Sequence, residues 1–187
     1  CAAPRAASPM ASSSSRRPIF VAATRQHVGK TTVSLALMSG LQRRFPRVGF
    51  MKPVGQQHVS VTCGSRTVRV DKDVQVMKEF FELEHVDYSC MSPVIIPRGY
   101  TSRYVERDSS PEQQEQQIRR AFEAQAAASD VVLLEGTGHV GVGSIVELNN
   151  AQAARQLGAD VVLVANGGLG SAFDDLELNR ALLERHG

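Results

Sequence analysis

Nine consecutive residues near the start of the chain, 24–32, have the types and order of a loop that binds phosphate. They read T-R-Q-H-V-G-K-T-T, between a short apolar run and a segment with helical spacing of apolar residues. Successive N–H groups in such a loop form a nest for an anion, and the helix dipole adds to it. Gly29 would let the backbone approach phosphate, Lys30 would pair with the outer phosphates, and Thr31 would ligate magnesium. The candidate nucleotide-binding residues are Thr24, Arg25, Gln26, His27, Val28, Gly29, Lys30, Thr31 and Thr32.

The loop departs from the usual G-x-x-x-x-G-K-[ST] pattern at one position, where Thr24 replaces the first glycine. A G-K-T tripeptide alone is a weak signal, since it also occurs by chance at a helix start. Here a strand, a loop, G-K-T-T and an amphipathic helix follow one another in the required order. The sequence therefore predicts a nucleotide site, with ATP and Mg²⁺ as the expected ligands.

Charged residues also lie at the ends of two predicted strands and at the start of a predicted helix. Glu135 ends the run VVLLE and precedes Gly136-Thr137-Gly138, so its carboxylate is expected beside the phosphate loop, where it can hold magnesium or its water. Asp71 and Asp73 stand at a predicted helix start. Two interpretations of them remain open: acids that favour a helix N-terminus, or a second metal-facing carboxylate. Lys52 ends a predicted strand and either points into the same crevice or is an ordinary surface lysine.

Three further residues have competing interpretations. Arg98 and Arg103 lie in the segment R-G-Y-T-S-R-Y. They either clamp an anionic substrate by forked hydrogen bonds or belong to a loop that is exposed to solvent. His139 follows the Gly136–Gly138 turn as an acid–base group or as a structural residue.

The elements that position these residues alternate between strand and helix. Apolar patterns predict strands at 18–23, 47–51, 130–134 and 160–165, the last two as central parallel strands, and an edge strand or linker at 92–97. Helical spacing and caps predict helices at 30–43, 71–83, 110–128, 149–157 and 171–185. Residues 56–70 are predicted to be a loop with some extended structure. The expected fold is α/β, a mostly parallel sheet with helices on both faces, and ligands bind such sheets at the carboxyl ends of the strands.

Composition favours one globular domain. The chain has 187 residues, 42% hydrophobic, and a formal net charge of +2, which favours neither a nucleic-acid surface nor an acidic partner. No apolar run approaches the roughly 18–20 residues that span a bilayer, so no membrane partner is expected. Residues 1–17 are rich in Ala, Ser and Arg, and suit an organellar targeting segment or a disordered tail; residues 18–187 form the predicted domain. The three cysteines lack a CxxC pair, which favours a reducing compartment, so the expected location is an organelle or the cytoplasm. A further strand is expected after Gly187, making the domain incomplete at its C-terminus.

Taken together, these motifs resemble the dethiobiotin synthetase-like group of P-loop proteins. The resemblance rests on 24–32, Lys52-Pro53-Val54, the two aspartates, Glu135-Gly136-Thr137-Gly138 and 162–171, in that order. The group includes dethiobiotin synthetase, cobyrinic acid diamide synthase and the N-terminal ATP-binding domain of long phosphate acetyltransferases. The resemblance implies a P-loop NTPase fold that uses ATP and magnesium. It also implies catalytic roles for Lys30, Lys52 and Glu135, and metal ligation by Thr31, Asp71, Asp73 and Glu135.

Two departures from dethiobiotin synthetase affect the expected function. Arg25 replaces an acid of its loop and stands where related partitioning ATPases have a signature lysine, so it is a candidate phosphate contact, in its own chain or across a dimer. Gln56 replaces a small serine on the substrate side. The run K-P-V-G-Q-Q-H is more similar to the acetyltransferase-type domain, whose role is regulatory. Two functions follow: a regulatory or slow ATPase module, in a homodimer or attached to a further domain, or an ATP-dependent ligase acting on a small carboxylate or amine.

Overall fold

The computed structural model describes residues 17–64, 66–97, 99–100, 104 and 110–187. The predicted targeting or disordered segment, apart from Arg17, lies outside the described residues, as do Arg98 and Arg103. Within the described residues, no helix combines the length and apolar character needed to cross a membrane.

The strands and helices alternate much as the sequence predicts. The strands are β1 (Ile19–Ala23), β2 (Val48–Met51), β3 (Val54–Gly55), β4 (His58–Cys63), β5 (Arg66–Asp71), β6 (Val94–Ile95), β7 (Val131–Glu135) and β8 (Asp160–Val164). The helices are α1 (Lys30–Gln42), α2 (Lys72–Phe80), α3 (Tyr88–Met91), α4 (Pro111–Ala128), α5 (Asn150–Gln156) and α6 (Ser171–His186), with a 3₁₀ turn at Ser144–Val146.

Four strands form a parallel sheet in the order β2-β7-β1-β8. Successive side chains point to opposite faces, and each face has its own buried core. Val21 and Leu133 pack on one face with residues of α1, α2 and α3. Phe20 and Leu134 pack on the other with residues of α4, α5 and α6. The predicted α/β fold with helices on both faces of a parallel sheet is confirmed.

The helix cap at Ser110 that the sequence predicts is present in the structure. Ser110 caps α4 by accepting a hydrogen bond from the backbone N–H of Gln113, and Pro111 occupies the first turn. The helix predicted over 71–83 is shorter than expected. Asp71 is its N-cap, and α2 ends at Phe80 because Glu82 adopts a left-handed backbone conformation, φ 52°, that a right-handed helix cannot include.

Two segments differ from the strands expected from the sequence. The segment 56–70, predicted to be a loop with some extended structure, contains the antiparallel hairpin β4–β5, in which His58 pairs with Asp71 and Cys63 with Arg66. Its polar residues lie at exposed positions, while Val61 and Val70 are buried. This alternation of polar and apolar residues is typical of a hairpin with one face buried. β8 was predicted to be central. Among the described residues it pairs only with β1, and Val162 is 40% exposed.

The short strand β6 pairs in parallel with β3, away from the main sheet. The prediction of an edge strand within 92–97 is therefore confirmed. Its neighbour Ser92 accepts a hydrogen bond from the backbone N–H of Asp71, 3.0 Å away. This bond joins the segment before β6 to Asp71, the last residue of β5 and a charged residue of the candidate site.

Candidate phosphate-binding site

The loop between β1 and α1 presents an open helix N-terminus. Gly29 is the N-cap of α1 with a left-handed φ of 99°, a conformation that glycine adopts without a Cβ penalty. The cap residue supplies no side-chain hydrogen bond, and the first turn contains no acidic residue. The N–H groups of this turn have no partners within the helix, so the helix start is suited to an anion.

Lys30, the first residue of α1, reaches across to the loop that follows β7. Its ammonium group donates a hydrogen bond to the carbonyl oxygen of Gly138, 2.7 Å away. Burial lowers the pKa of Lys30 below its usual value, and the nearby Lys52 lowers it further, while Glu135 and Asp73 partly offset these effects. Because a carbonyl is a neutral partner, the lysine charge stays available to a phosphate.

Glu135, the last residue of β7, is 1% exposed. The Thr31 hydroxyl donates a hydrogen bond to its Oε1 at 3.2 Å, which joins the start of α1 to the end of β7. Burial raises the pKa of Glu135 above its usual value, opposed by the charge of Lys52 and by the nearby hydroxyl groups of Ser34 and Thr31. The hydroxyl and the carboxylate thus present two oxygens side by side, as a hard cation requires.

Lys52 lies among three carboxylates. Its Nζ is 3.0 Å from Asp71 Oδ1 and 3.8 Å from Glu135 Oε1, and it also donates to Asp73 Oδ2. Burial alone lowers the pKa of Lys52, but the three carboxylates outweigh it and hold the pKa above its usual value. The interpretation of Lys52 as an ordinary surface lysine is wrong, since it is 6% exposed.

Asp71 has several partners besides Lys52. Its carboxylate accepts hydrogen bonds from the backbone N–H groups of Asp73 and Gln56, each at 3.1 Å. The first of these bonds caps α2, so the interpretation of Asp71 as a helix-start acid is confirmed. The close approach depends on Gly55, because a Cβ there would lie 2.8 Å from Asp71 Cβ and Oδ2. A metal-facing role for Asp71 or Asp73 stays a prediction.

These side chains surround one polar cavity of about 300 Å³. Ten of the candidate residues line it: Gln26, His27, Gly29, Lys30, Thr31, Thr32, Lys52, Asp71, Asp73 and Glu135. The segments at the carboxyl ends of β1, β2 and β7 therefore meet at one edge of the parallel sheet, as expected for this class of fold. Asp71, at the end of the hairpin strand β5, joins them there. Among the described residues, no group of three or more His, Cys, Asp or Glu side chains forms a metal cluster by itself.

Three residues of the predicted loop are not among those that line the cavity: Thr24, Arg25 and Val28. Thr24 is buried, and its backbone N–H donates to the carbonyl of Val164 at 2.9 Å. The Arg25 side chain is 54% exposed and forms an ion pair with Asp175 of α6. Its predicted phosphate contact therefore stays a prediction, and a side chain that makes it would have to leave Asp175.

Some residues that shape the site were not assigned to it from the sequence. Gln57 and Lys72 line the cavity, beside residues 136–138 and Gln56 of the predicted motifs. Asn150 accepts from the backbone N–H of Thr137 at 3.1 Å and donates to its carbonyl at 2.9 Å. Asn179 contacts the backbone of Thr24. The glycines of 136–138 were a visible signal, whereas neither asparagine belongs to a pattern that points to the site.

Comparison with known proteins agrees with this geometry. A family model described as an AAA domain matches residues 17–187. The phosphate acetyltransferase of Deinococcus radiodurans is 29% identical over 154 residues, covering 80% of this chain and 19% of that protein. The phosphate acetyltransferase of Pseudomonas putida is 28% identical over 146 residues, covering 78% and 19%. The ATP-dependent dethiobiotin synthetase BioD of Aromatoleum aromaticum is 30% identical over 158 residues, covering 82% and 66%.

Among solved structures, the kinase domain of the Escherichia coli tyrosine kinase ETK aligns with a TM-score of 0.51 at 16% identity. The alignment covers 93% of this chain and 64% of that one. A likeness at this identity concerns the fold alone. The parallel sheet and the loop at the end of β1 thus define an α/β domain of the P-loop NTPase type.

The chain belongs to the AAA domain family, in the P-loop group that is similar to dethiobiotin synthetase. It spans about a fifth of the length of the phosphate acetyltransferases that it matches, 19% in each case.

Proposed function

We propose that this domain binds ATP with Mg²⁺ and acts as a regulatory module that hydrolyses ATP slowly. The observation that carries the proposal is the meeting of the uncapped N-terminus of α1 with Lys30 and the Thr31–Glu135 pair at one cavity. The relatives named phosphate acetyltransferase support a module within a longer protein, since the similarity covers only a fifth of their length.

The donor set fits magnesium. Mg²⁺ is usually held by one or two carboxylates together with substrate phosphates and water. Thr31 Oγ1 and Glu135 Oε1 lie 3.2 Å apart and are oxygen donors of the required kind. Asp71 or Asp73 is the proposed additional carboxylate. When bound, the ion would neutralise charge on the outer phosphates.

The residues of the chain have separate tasks in this proposal. The N–H groups at the start of α1 and the ammonium group of Lys30 bind the phosphate oxygens. Gln26, His27, Val28 and Thr32 belong to the loop that surrounds them. Lys52, held in place by its carboxylate partners, supplies a second positive charge at the cavity wall. Such fixed charges stabilise the developing charge of phosphoryl transfer.

A second candidate function is an ATP-dependent ligase that activates a small carboxylate or a carbamate. Two observations favour it: the buried Lys52 lines the same cavity as Lys30, and BioD shares 30% identity with the chain. Phosphate release from ATP, measured with and without a panel of carboxylates, amines and bicarbonate, separates the two functions. A rate that is slow and unaffected by every acceptor supports the regulatory module. A strong dependence on one acceptor supports the ligase and contradicts the pure sensor.

The proposed partners of the module are a second copy of the chain or an attached further domain, and its proposed location is an organelle or the cytoplasm. The exposed ion pair of Arg25 with Asp175 is relevant to dimerisation. An arginine at the protein surface can exchange this carboxylate for a group of a second copy of the chain. Sedimentation with and without ATP tests this directly. Dimerisation that depends on ATP and is lost in Arg25→Ala supports a dimer with Arg25 at its interface, and an ATP-independent monomer argues against it.

A further inference from the structure

A buried asparagine on α6 is bonded to two loops at once. Asn179 is 8% exposed, and its Oδ1 accepts a hydrogen bond from the backbone N–H of Val140 at 3.1 Å. Its Nδ2 donates to the backbone carbonyls of Thr24 at 3.0 Å and Asp175 at 2.7 Å. An N–H partner requires the oxygen and two carbonyls require the amino group, so these partners fix which way the amide points.

Residues of both loops line the cavity of the candidate site. Thr24 is the first residue of the phosphate loop. Val140 lies two residues after Gly138, whose carbonyl accepts the hydrogen bond of Lys30. Val140 also donates from the same N–H to the carbonyl of Ala23 at 3.1 Å. Asn179 therefore reinforces a direct backbone link between the end of β1, just before the phosphate loop, and the loop after β7.

A second contact joins α6 to the same loop. Arg25, the neighbour of Thr24, forms an ion pair with Asp175, one helical turn before Asn179. Because Arg25 is 54% exposed, solvent screens this pair and its contribution is small. The hydrogen bonds of Asn179 are buried, where loss of a partner leaves unsatisfied polar groups at a much higher cost.

Asn150 provides an internal comparison. It is 5% exposed and holds the loop after β7 through the backbone of Thr137 and through the carbonyl of His139, 2.8 Å from its Nδ2. The described contacts of Asn150 do not include the phosphate loop. Two buried asparagines thus hold the β7 loop, and one of them, Asn179, also holds the phosphate loop.

We propose that Asn179 is a positioning residue, which sets the spacing between the phosphate loop and the loop after β7 and thereby couples α6 to phosphate binding. The inference deepens the proposed function and rests on it for the effect on nucleotide affinity. The spacing of the two loops that Asn179 sets is already present in the nucleotide-free protein. It can therefore be tested even if the proposed ligand is wrong.

The direct test is hydrogen–deuterium exchange on nucleotide-free Asn179→Asp. The carboxylate keeps the acceptor for Val140 but loses the donor to Thr24 and Asp175. We expect peptides covering 24–31 to exchange about tenfold faster, with a smaller change in peptides covering 139–142. Unchanged exchange in 24–31 overturns the proposal. Equal acceleration across the whole chain also overturns it, because a merely structural role predicts that result.

Two matched variants complete the test. In Asn150→Asp we expect faster exchange around 137–139 and unchanged exchange in 24–31. In Ile118→Val, a conservative core change on α4 at a residue of neither loop, we expect neither effect. If Asn179→Asp does not fold, Asn179→Ala removes the same donor without adding charge and is measured in its place. Acceleration confined to 24–31 in Asn150→Asp would contradict the assignment to Asn179.

Nucleotide affinity gives the second measurement. Phosphate contacts of the loop operate without metal, so in EDTA we expect Asn179→Asp to bind ADP about tenfold more weakly. The core variant Ile118→Val should bind ADP as wild type does. Equal affinities of wild type and Asn179→Asp overturn the coupling to phosphate binding. If the wild type itself binds neither ADP nor ATP, the proposed function fails, and the exchange experiment still decides whether Asn179 positions the loop.

Discussion

The ammonium group of Lys30 donates a hydrogen bond to the carbonyl oxygen of Gly138, 108 residues further along the chain. The first residue of α1 is thereby linked to the loop after β7. In this position the lysine charge faces the cavity with a neutral partner. A phosphate can take over that hydrogen bond and adds an attraction between full charges, which is the stronger interaction.

The reactivity of the two site lysines tests this arrangement. Burial lowers the pKa of Lys30, whereas surrounding carboxylates raise that of Lys52. A lower pKa means a larger neutral fraction at a given pH, so Lys30 should react with acetic anhydride faster than Lys52. We expect ATP to slow the labelling of Lys30. Competitive labelling followed by mass spectrometry measures both rates, and equal rates with no effect of ATP would count against the described contacts.

Glu135→Gln should separate metal-dependent chemistry from nucleotide binding. The amide keeps the size of the side chain but loses the negative charge beside Thr31. We expect Mg²⁺-dependent ATP hydrolysis to fall by about tenfold or more, while much of the ATP affinity remains. Phosphate release and calorimetric binding measure the two quantities. Hydrolysis equal to that of wild type at the same Mg²⁺ concentration would remove Glu135 from the proposed metal site.

Lys52→Met should destabilise the fold, because it leaves buried carboxylates without their cation. The expected loss in the free energy of unfolding is about 3–5 kcal/mol at pH 7. Chemical denaturation of both proteins measures it. A control is Lys72→Met, an exposed lysine at the first position of α2, for which we expect a change within about 0.5 kcal/mol. Equal stability of wild type and Lys52→Met would contradict the buried ion pairs.

The difference in unfolding free energy between wild type and Lys52→Met should also depend on pH. The native pKa of Lys52 lies above its usual value of 10.5, so the native state binds this proton more tightly than the unfolded state. The stabilisation is fully present below the unfolded pKa and is lost as the pH rises through the native pKa. We expect the stability difference between wild type and Lys52→Met to stay constant from about pH 7 to 10 and to shrink above that range. A difference that grows with alkalinity would contradict the direction of the shift.

Two glycines should respond oppositely to alanine. Gly143, before the 3₁₀ turn, has φ 97°, and a Cβ there would lie 2.3 Å from the carbonyl oxygen of Leu148. Gly40 is inside α1, and a Cβ there would meet nothing within 4 Å. We expect Gly143→Ala to cost at least about 2 kcal/mol and Gly40→Ala to add about 0.5–1 kcal/mol. Thermal unfolding of both variants checks the signs, and the same sign for both would contradict the local geometry.

The convergence of the site was predictable because it depends on local signals. Lys52 directly follows β2, Glu135 ends β7, and Lys30 begins the helix after β1. Carboxyl ends of parallel strands share one edge, so such residues meet whatever the details of packing. The ion pairs of Lys52 with Asp71 and Asp73 were not predictable at this detail, because they depend on side-chain directions.

What the sequence could not reveal depends on contacts between distant segments. Asn179 bonds to Thr24 across 155 residues, and an asparagine inside an amphipathic helix shows nothing of this partner. The position of β8 beside β1 alone, among the described residues, could not be predicted, because a continuous apolar run looks the same with one strand neighbour as with two. The hairpin β4–β5 was missed because polar residues dominate its exposed face.

Binding of ATP to Lys30→Ala, measured by isothermal titration calorimetry with Mg²⁺ present, tests the central claim most directly. The account predicts that this variant shows no measurable binding at concentrations that saturate the wild type, while its thermal unfolding stays close to that of wild type. Lys72→Ala, which removes a different lysine from the cavity wall, is the matched control and should retain most of the affinity. Near-normal ATP affinity of Lys30→Ala would contradict the assignment of the phosphate-binding loop.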